Sequence, residues 1–347
     1  MADPTQPETR RSRRERLQSE RPQHRHSASV YLRRRLVAAG IAAAVVSGLV
    51  VGVIALATPR GEPVTDAAGT RVTAPDAPPR ATAIPAPAQS GRSVPPAAAG
   101  ADAGAAQDLC GDTAVQQALA AGADADVIEA AGGAEAFRVA VATGAAPCID
   151  LFDPARTWVV VNKTHALTPL DFAPEGTVWA EGVQRTGTER MRPDVAAALS
   201  QLVAAARADG AGEIGVNSAF RSYDYQVSNH AGFVRQLGRA DAEAISARAG
   251  HSEHQTGLAV DVVACASSCG SIDDFAGTTQ AQWVADNAWR FGFIVRYDQG
   301  ETGATGYEWE PWHLRFVGAD LAAAYTDGGY RTLEQFFGMP AAPHYAD

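Results

Sequence analysis

The chain has 347 residues and a formal net charge of −10. Ten Arg against four acids give residues 1–35 a local charge of +6, so the other 312 residues sum to −16. That excludes nucleic-acid binding by the acidic body, which would need a basic face, while 20% charged and 7% aromatic residues exclude wholesale disorder.

In chain order, residues 1–35 predict an Arg-rich cytoplasmic tail, an RNA-binding arm being the alternative. Residues 36–57 (LVAAGIAAAVVSGLVVGVIALA) hold no charge in 22 positions. At 1.5 Å per residue they reach about 33 Å, enough for a bilayer core of about 30 Å. Arg33, Arg34 and Arg35 precede this run and only Arg60 follows closely. The positive-inside rule then predicts a single-pass protein of the cell membrane, its N-terminus cytoplasmic and its body outside. A cleavable signal peptide is the rival, since Ala55-Leu56-Ala57 resembles a cleavage site, but the run exceeds the usual apolar stretch of about 7–15 residues. Both readings export the body. Residues 58–106 are rich in Pro and Ala and carry no hydrophobic period, which predicts an extended linker. At up to ~3 Å per residue it reaches on the order of 100 Å, enough to carry a working domain into a thick surface polymer.

Residues 107–150 predict a small subdomain of two or three short helices with Gly breaks, bracketed by Cys110 and Cys148. The main domain follows over 151–347. Its expected elements are a strand at 158–163 (WVVVNK), a helix over 192–210 with Pro193 near its start, and a strand at 213–218 (EIGVNS). A helix over 224–237 and a strand at 257–263 (GLAVDVV) come next. Last are a helix over 279–291 stopped by Gly292 and strands at 293–297 (FIVRY) and 312–317 (WHLRFV). Strands and helices mixed in this way predict an α+β fold, a mostly antiparallel sheet with flanking helices.

Four cysteines in an exported chain predict two disulfides, and the local pairings Cys110–Cys148 and Cys265–Cys269 keep one in each region. Zinc is the rival for Cys265 and Cys269, but no second Cys or His pair lies near them in sequence.

Two short stretches carry chemistry. In Ser252-Glu253-His254-Gln255-Thr256-Gly257-Leu258-Ala259-Val260-Asp261 a His enters a Gly turn and an Asp follows inside an apolar strand. A carboxylate in such a run is expected to be buried, and a buried charge needs a partner or a metal. Gly257 lets the chain turn so that His254 and Asp261 face one point. In Glu310-Pro311-Trp312-His313 the proline argues against a helix interior, so this reads as a loop entering a strand. His254, Asp261 and His313 together would fill three positions of a tetrahedral Zn²⁺ and leave the fourth for water, the arrangement of catalytic zinc. Glu310 is then the general base beside a water whose pKa the metal lowers to about 7. Each of these residues taken alone is more often a satisfied structural side chain, and spacing alone does not justify the zinc reading.

The order S-x-H-x(6)-D, then E-x-x-H, met here as Ser252, His254, Asp261, Glu310 and His313, resembles the VanY-type D-alanyl-D-alanine carboxypeptidases. They belong to the zinc peptidases that also include lysostaphin-like enzymes and the hedgehog fold. Residues 218–226 (SAFRSYDYQ) match a third block of that family, S-x-x-R-S-x-x-x-Q. The resemblance spans roughly residues 156–320. It implies a Zn²⁺ enzyme that trims peptidoglycan stem peptides by D-alanyl-D-alanine carboxypeptidase action. LD-carboxypeptidase or endopeptidase action, or a non-catalytic zinc-containing wall-binding module, are the alternatives. It also implies that Arg221 holds the substrate's terminal carboxylate, a task that suits a planar fork of donors. Ser218, Gln226 and Ser252 are further candidates for holding substrate, with turn or capping roles as the plainer reading. His251, which makes H-x-x-H with His254, is a rival third ligand. Tyr223, Trp309 and Trp312 are candidates to line the pocket or simply to pack. The expected partners are stem peptides and, through residues 36–57, the membrane, with no nucleic acid.

Overall fold

Asp112 accepts hydrogen bonds from the amides of Ala114 and Val115 and so starts the first helix of the computed structural model, which describes residues 109–346 apart from Thr188. The expected tail, membrane helix and linker lie outside the described residues. Among the described residues no helix is long and apolar enough to cross a membrane.

Three short helices form the start: α1 (Thr113–Ala121), α2 (Asp124–Ala130) and α3 (Ala134–Ala142). Cys110 bonds Cys148 across a separation of 38 residues. Closing such a loop stabilises by about 4 kcal/mol in the chain-entropy treatment. The helices bury Val115, Ile128 and Phe137 in one cluster with Trp158, Val160, Leu321, Tyr325 and Phe336. The subdomain therefore shares a core with the C-terminal helices α9 (Ala319–Gly328) and α10 (Leu333–Phe336).

The strands are β1 (Gln184–Arg185), β2 (Glu213–Ser218), β3 (Ala259–Cys265), β4 (Phe293–Tyr297) and β5 (Glu310–Phe316). Their order in the sheet is β1-β2-β3-β5-β4; β1 runs parallel to β2 and every other pairing is antiparallel. The mixed α+β architecture with a mostly antiparallel sheet is therefore as expected. Helix α4 (Pro193–Ala208) covers one face. Its Pro sits in the first turn, and Val195, Leu199, Leu202 and Ala206 recur at the 3–4 residue spacing of one helix face. Burying each Leu is worth ~1.5–3 kcal/mol. Against this face lie Ile214 and Val216 of β2, Val260 and Val262 of β3, and Trp312 and Leu314 of β5. Strand side chains alternate between faces, so Asp261, His313 and Arg315 point to the other side.

The remaining helices are α5 (Tyr223–Leu237), α6 (Arg239–Glu243), α7 (Thr279–Asn287) and α8 (Thr302–Thr305). Cys265 bonds Cys269 at the end of β3. Gly215 makes room for it, since a Cβ there would lie 2.5 Å from Cys265 Sγ.

Three expectations need correction. The segment 158–163 is no strand: it is a buried segment of irregular backbone, and its Val159 carbonyl accepts from Arg315 Nη2 at 2.6 Å rather than from a neighbouring strand. Strand β5 begins at Glu310, not Trp312, because Glu310 already pairs with Tyr297 across an irregularity in β4. Strand β3 begins at Ala259, because Gly257, at φ 72°, is still closing the preceding 3₁₀ turn of Glu253–Thr256.

Candidate metal centre

Antiparallel register sets Asp261 of β3 directly opposite His313 of β5, and their Oδ1 and Nδ1 atoms lie 3.2 Å apart. His254 arrives from the 3₁₀ turn, which the left-handed Gly257 folds back onto β3. Its Nε2 lies 3.2 Å from the same Asp261 Oδ1, and its ring meets that of His313 edge to face at 4.8 Å. One ligand atom from each of the three residues lies within 4.8 Å of the others, and all three residues are buried. No other such group of His, Cys, Asp or Glu occurs among the described residues.

The chemistry of these donors fits a divalent cation. His254 Nδ1 lies 2.7 Å from the Ala219 carbonyl, which can only accept, so the proton sits on Nδ1. Burial pushes His254 down to about 4, with the Arg221 charge adding to the effect, so the ring is neutral at physiological pH. Its Nε2 lone pair therefore faces a carboxylate oxygen that has no hydrogen-bond partner. Two lone pairs 3.2 Å apart in a dry interior repel, and a cation between them turns that repulsion into two bonds. Burial opposes ionisation of Asp261, but the Arg221 guanidinium bonded to its Oδ2 outweighs burial and holds the carboxyl well below its usual range.

His313 is the opposite case. Burial lowers its pKa, but Asp261 and Glu253 outweigh burial and raise it to about 9. In the metal-free protein it is protonated, and metal must expel that proton from Nδ1. Apparent zinc affinity is therefore expected to rise about tenfold per pH unit from pH ~7 to ~9, where the proton is lost unaided. A flat profile by chelator competition contradicts this.

Around the trio, Glu310 Oε2 lies 3.7 Å from His313 Nδ1. Arg221 reaches Asp261 Oδ2 through Nη2 at 2.5 Å and Ser218 Oγ through Nε at 2.8 Å, with 21% of its side chain exposed. Ser218 ends β2 beside Asp261. Ser252 is buried and caps the 3₁₀ turn only by backbone. Gln226 is 1% exposed, and its amide donates to the Ala247 carbonyl at 2.7 Å, a tie between α5 and the segment after α6. His251 stands outside the trio, with Nδ1 on the Asn162 carbonyl at 2.8 Å and its ring against Tyr345. Trp312 lies in the core beneath α4, while Trp309 and Tyr223 are half-buried.

A family model for D-alanyl-D-alanine carboxypeptidase (VanY) matches residues 188–319. The putative carboxypeptidase YodJ of Bacillus subtilis is 35% identical over 192 residues, covering 53% of this chain and 68% of that protein. The chain belongs to the VanY family. A VanY-family chain is a zinc metallopeptidase of the D-alanyl-D-alanine carboxypeptidase type, and the donor set above is where zinc fits. A D-alanyl-D-alanine carboxypeptidase of Enterococcus faecalis is 36% identical over 148 residues, and this VanY-family chain spans 53% of that protein's length. The solved LD-carboxypeptidase LdcB is 36% identical over 53% of this chain and 86% of its own, with a TM-score of 0.49. VanY itself, solved as a variant in complex with Zn(II), is 31% identical over 51% of this chain and 96% of its own, with a TM-score of 0.43.

Sequence reasoning passed over Glu253, Arg296, Arg315, Glu334 and Tyr297, whose ring centre lies 4.8 Å from that of His313. A signal was present. Arg296 and Arg315 interrupt apolar strands just as Asp261 does, and the argument that a buried charge needs a partner applies equally to them.

Proposed function

We propose that the protein is a zinc-dependent D-alanyl-D-alanine carboxypeptidase that trims peptidoglycan stem peptides outside the cell. The observation that carries this reading is the convergence of three buried donors with a carboxylate, Glu310, 3.7 Å from one of them and a guanidinium, Arg221, on another. His254, Asp261 and His313 would hold zinc, which when bound would supply Lewis acidity to activate water near neutral pH and polarise the scissile carbonyl. Glu310 Oε2 takes the proton from the attacking water and delivers it to the leaving amine. Arg221 spends Nε on Ser218 and one Nη2 hydrogen on Asp261, and its remaining N–H groups receive the terminal carboxylate of the stem. Ser218 and Ser252 are further candidates for holding the stem. On a body of net charge −16 this positive charge is local, where an anionic substrate end needs it. In the same proposal residues 36–57 anchor the chain in the membrane with the enzyme outside.

Mass spectrometry of purified muropeptides after incubation with the full-length protein tests the bond cleaved. Loss of one D-Ala from pentapeptide stems is the expected result. Cleavage confined to tetrapeptide stems supports LD-carboxypeptidase action instead, and cleavage of cross-linked dimers supports an endopeptidase. No change in any stem overturns the enzymatic reading.

A further inference from the structure

Glu253 sits between Ser252 and His254 but turns away from the metal-facing side into the interior. Its side chain is fully buried. Oε1 accepts from Arg296 Nε at 2.8 Å and from Arg315 Nη1 at 2.9 Å. Oε2 takes no part in those ion pairs and lies 3.2 Å from His313 Nε2. Arg296 forks onto both oxygens of Glu334, at 3.0 and 2.8 Å, and Glu334 Oε1 also accepts from Asn162 Nδ2 at 3.0 Å. Arg315 holds the Thr157 and Val159 carbonyls through Nη2. Two carboxylates and two guanidinium groups thus cancel in charge, each satisfied by hydrogen bonds, as burial demands.

Neutralising two arginines does not require a carboxylate oxygen aimed at a ligand's distal nitrogen. The division of labour, Oε1 for the arginines and Oε2 for His313, points to a second role. The two imidazoles also differ in their supports. His254 leans on a neutral carbonyl, whereas His313 leans on a buried anion that the arginines hold in place. An anionic acceptor fixes ring orientation and tautomer and strengthens the opposite nitrogen as a ligand.

We infer that Glu253 is a positioning residue for the metal: it keeps the His313 proton on Nε2, presents Nδ1 to zinc, and with Arg296, Arg315 and Glu334 sets how tightly the site holds its cation. The buried charge network makes the segment 157–162 and helix α10 part of the metal site, though neither supplies a ligand. The inference rests on the zinc reading above.

The test uses full-length wild type, Glu253→Asp and Glu253→Gln, with zinc affinity measured by chelator competition at neutral pH. Long-range ¹H–¹⁵N imidazole spectra of the zinc-loaded wild type accompany it. The expected spectrum has His313 bound through Nδ1 with its proton on Nε2. The variants are expected to hold zinc about 10–100-fold more weakly. Melting curves with and without zinc check folding. Glu253→Gln leaves two buried cations facing one carboxylate, so should it not fold, Glu253→Asp and the wild-type spectrum decide the matter. A folded variant with wild-type zinc affinity, even at a lower melting temperature, overturns the inference, because a purely structural role moves only the melt. So does His313 bound through Nε2. Failure of the wild type itself to bind zinc sinks the metal reading instead, which keeps the two failures apart.

Discussion

Replacing Glu310 by Gln is expected to leave zinc bound while cutting turnover about 10²–10⁴-fold, the usual worth of a positioned general base. The substitution is nearly isosteric, and the side chain is already buried at the head of β5. The amide keeps the volume and a polar oxygen but cannot accept the proton of the attacking water. Zinc content should hold because Glu310 Oε2 approaches His313 from 3.7 Å rather than joining the three converging donors. Release of D-Ala from a pentapeptide stem, measured alongside elemental analysis, separates the outcomes. Turnover within a few-fold of wild type removes Glu310 as the base, and lost zinc with lost turnover makes it a ligand.

His254→Ala is expected to lose zinc outright, by more than the ~10–100-fold that removal of an outer partner costs, because it deletes a bonding nitrogen. The site would keep Asp261 and His313, and two donors do not hold a catalytic zinc against dialysis. Activity should fall with the metal. His251→Ala is the natural control, since its ring bonds the Asn162 carbonyl and packs on Tyr345 rather than facing the trio. It should keep full zinc occupancy. Wild-type metal in His254→Ala, or lost metal in a folded His251→Ala, would exchange their roles and revive the H-x-x-H alternative.

Much of the site was legible because its residues break local rules. Asp261 is the single charge in the apolar run Leu258 to Val263, and Gly257 marks a turn that only a left-handed residue closes cheaply. The same rule-breaking at Arg296 and Arg315 carries as much information. Its meaning stays hidden in the linear chain, because their partners Glu253 and Glu334 lie 43 and 38 residues away from Arg296. WVVVNK shows the opposite failure. Its β propensity is real, but propensity reports a side chain's fit to a half-buried surface, not the presence of a neighbouring strand. Here a guanidinium, not a ladder, satisfies the buried Val159 carbonyl and that of Thr157 just before the segment.

The charge split between a +6 head and a −16 body, the apolar run at 36–57 and the three ordered motifs are properties of the sequence by itself. So is the α+β class. These follow from local composition, period or residue type, whereas the three candidate donors come from the resemblance that the motifs carry. Which nitrogen of each imidazole is free for metal was decided only by the tertiary structure. So were the division of Glu253 between two arginines and a histidine, and the burial of Gln226 in a tie between α5 and the segment after α6. The reason is physical: tautomer, ionisation and burial depend on what lies within about 3 Å of an atom. In this chain those neighbours come from β3, β5, the loop after β2 and the C-terminal helices, which meet only when the sheet closes.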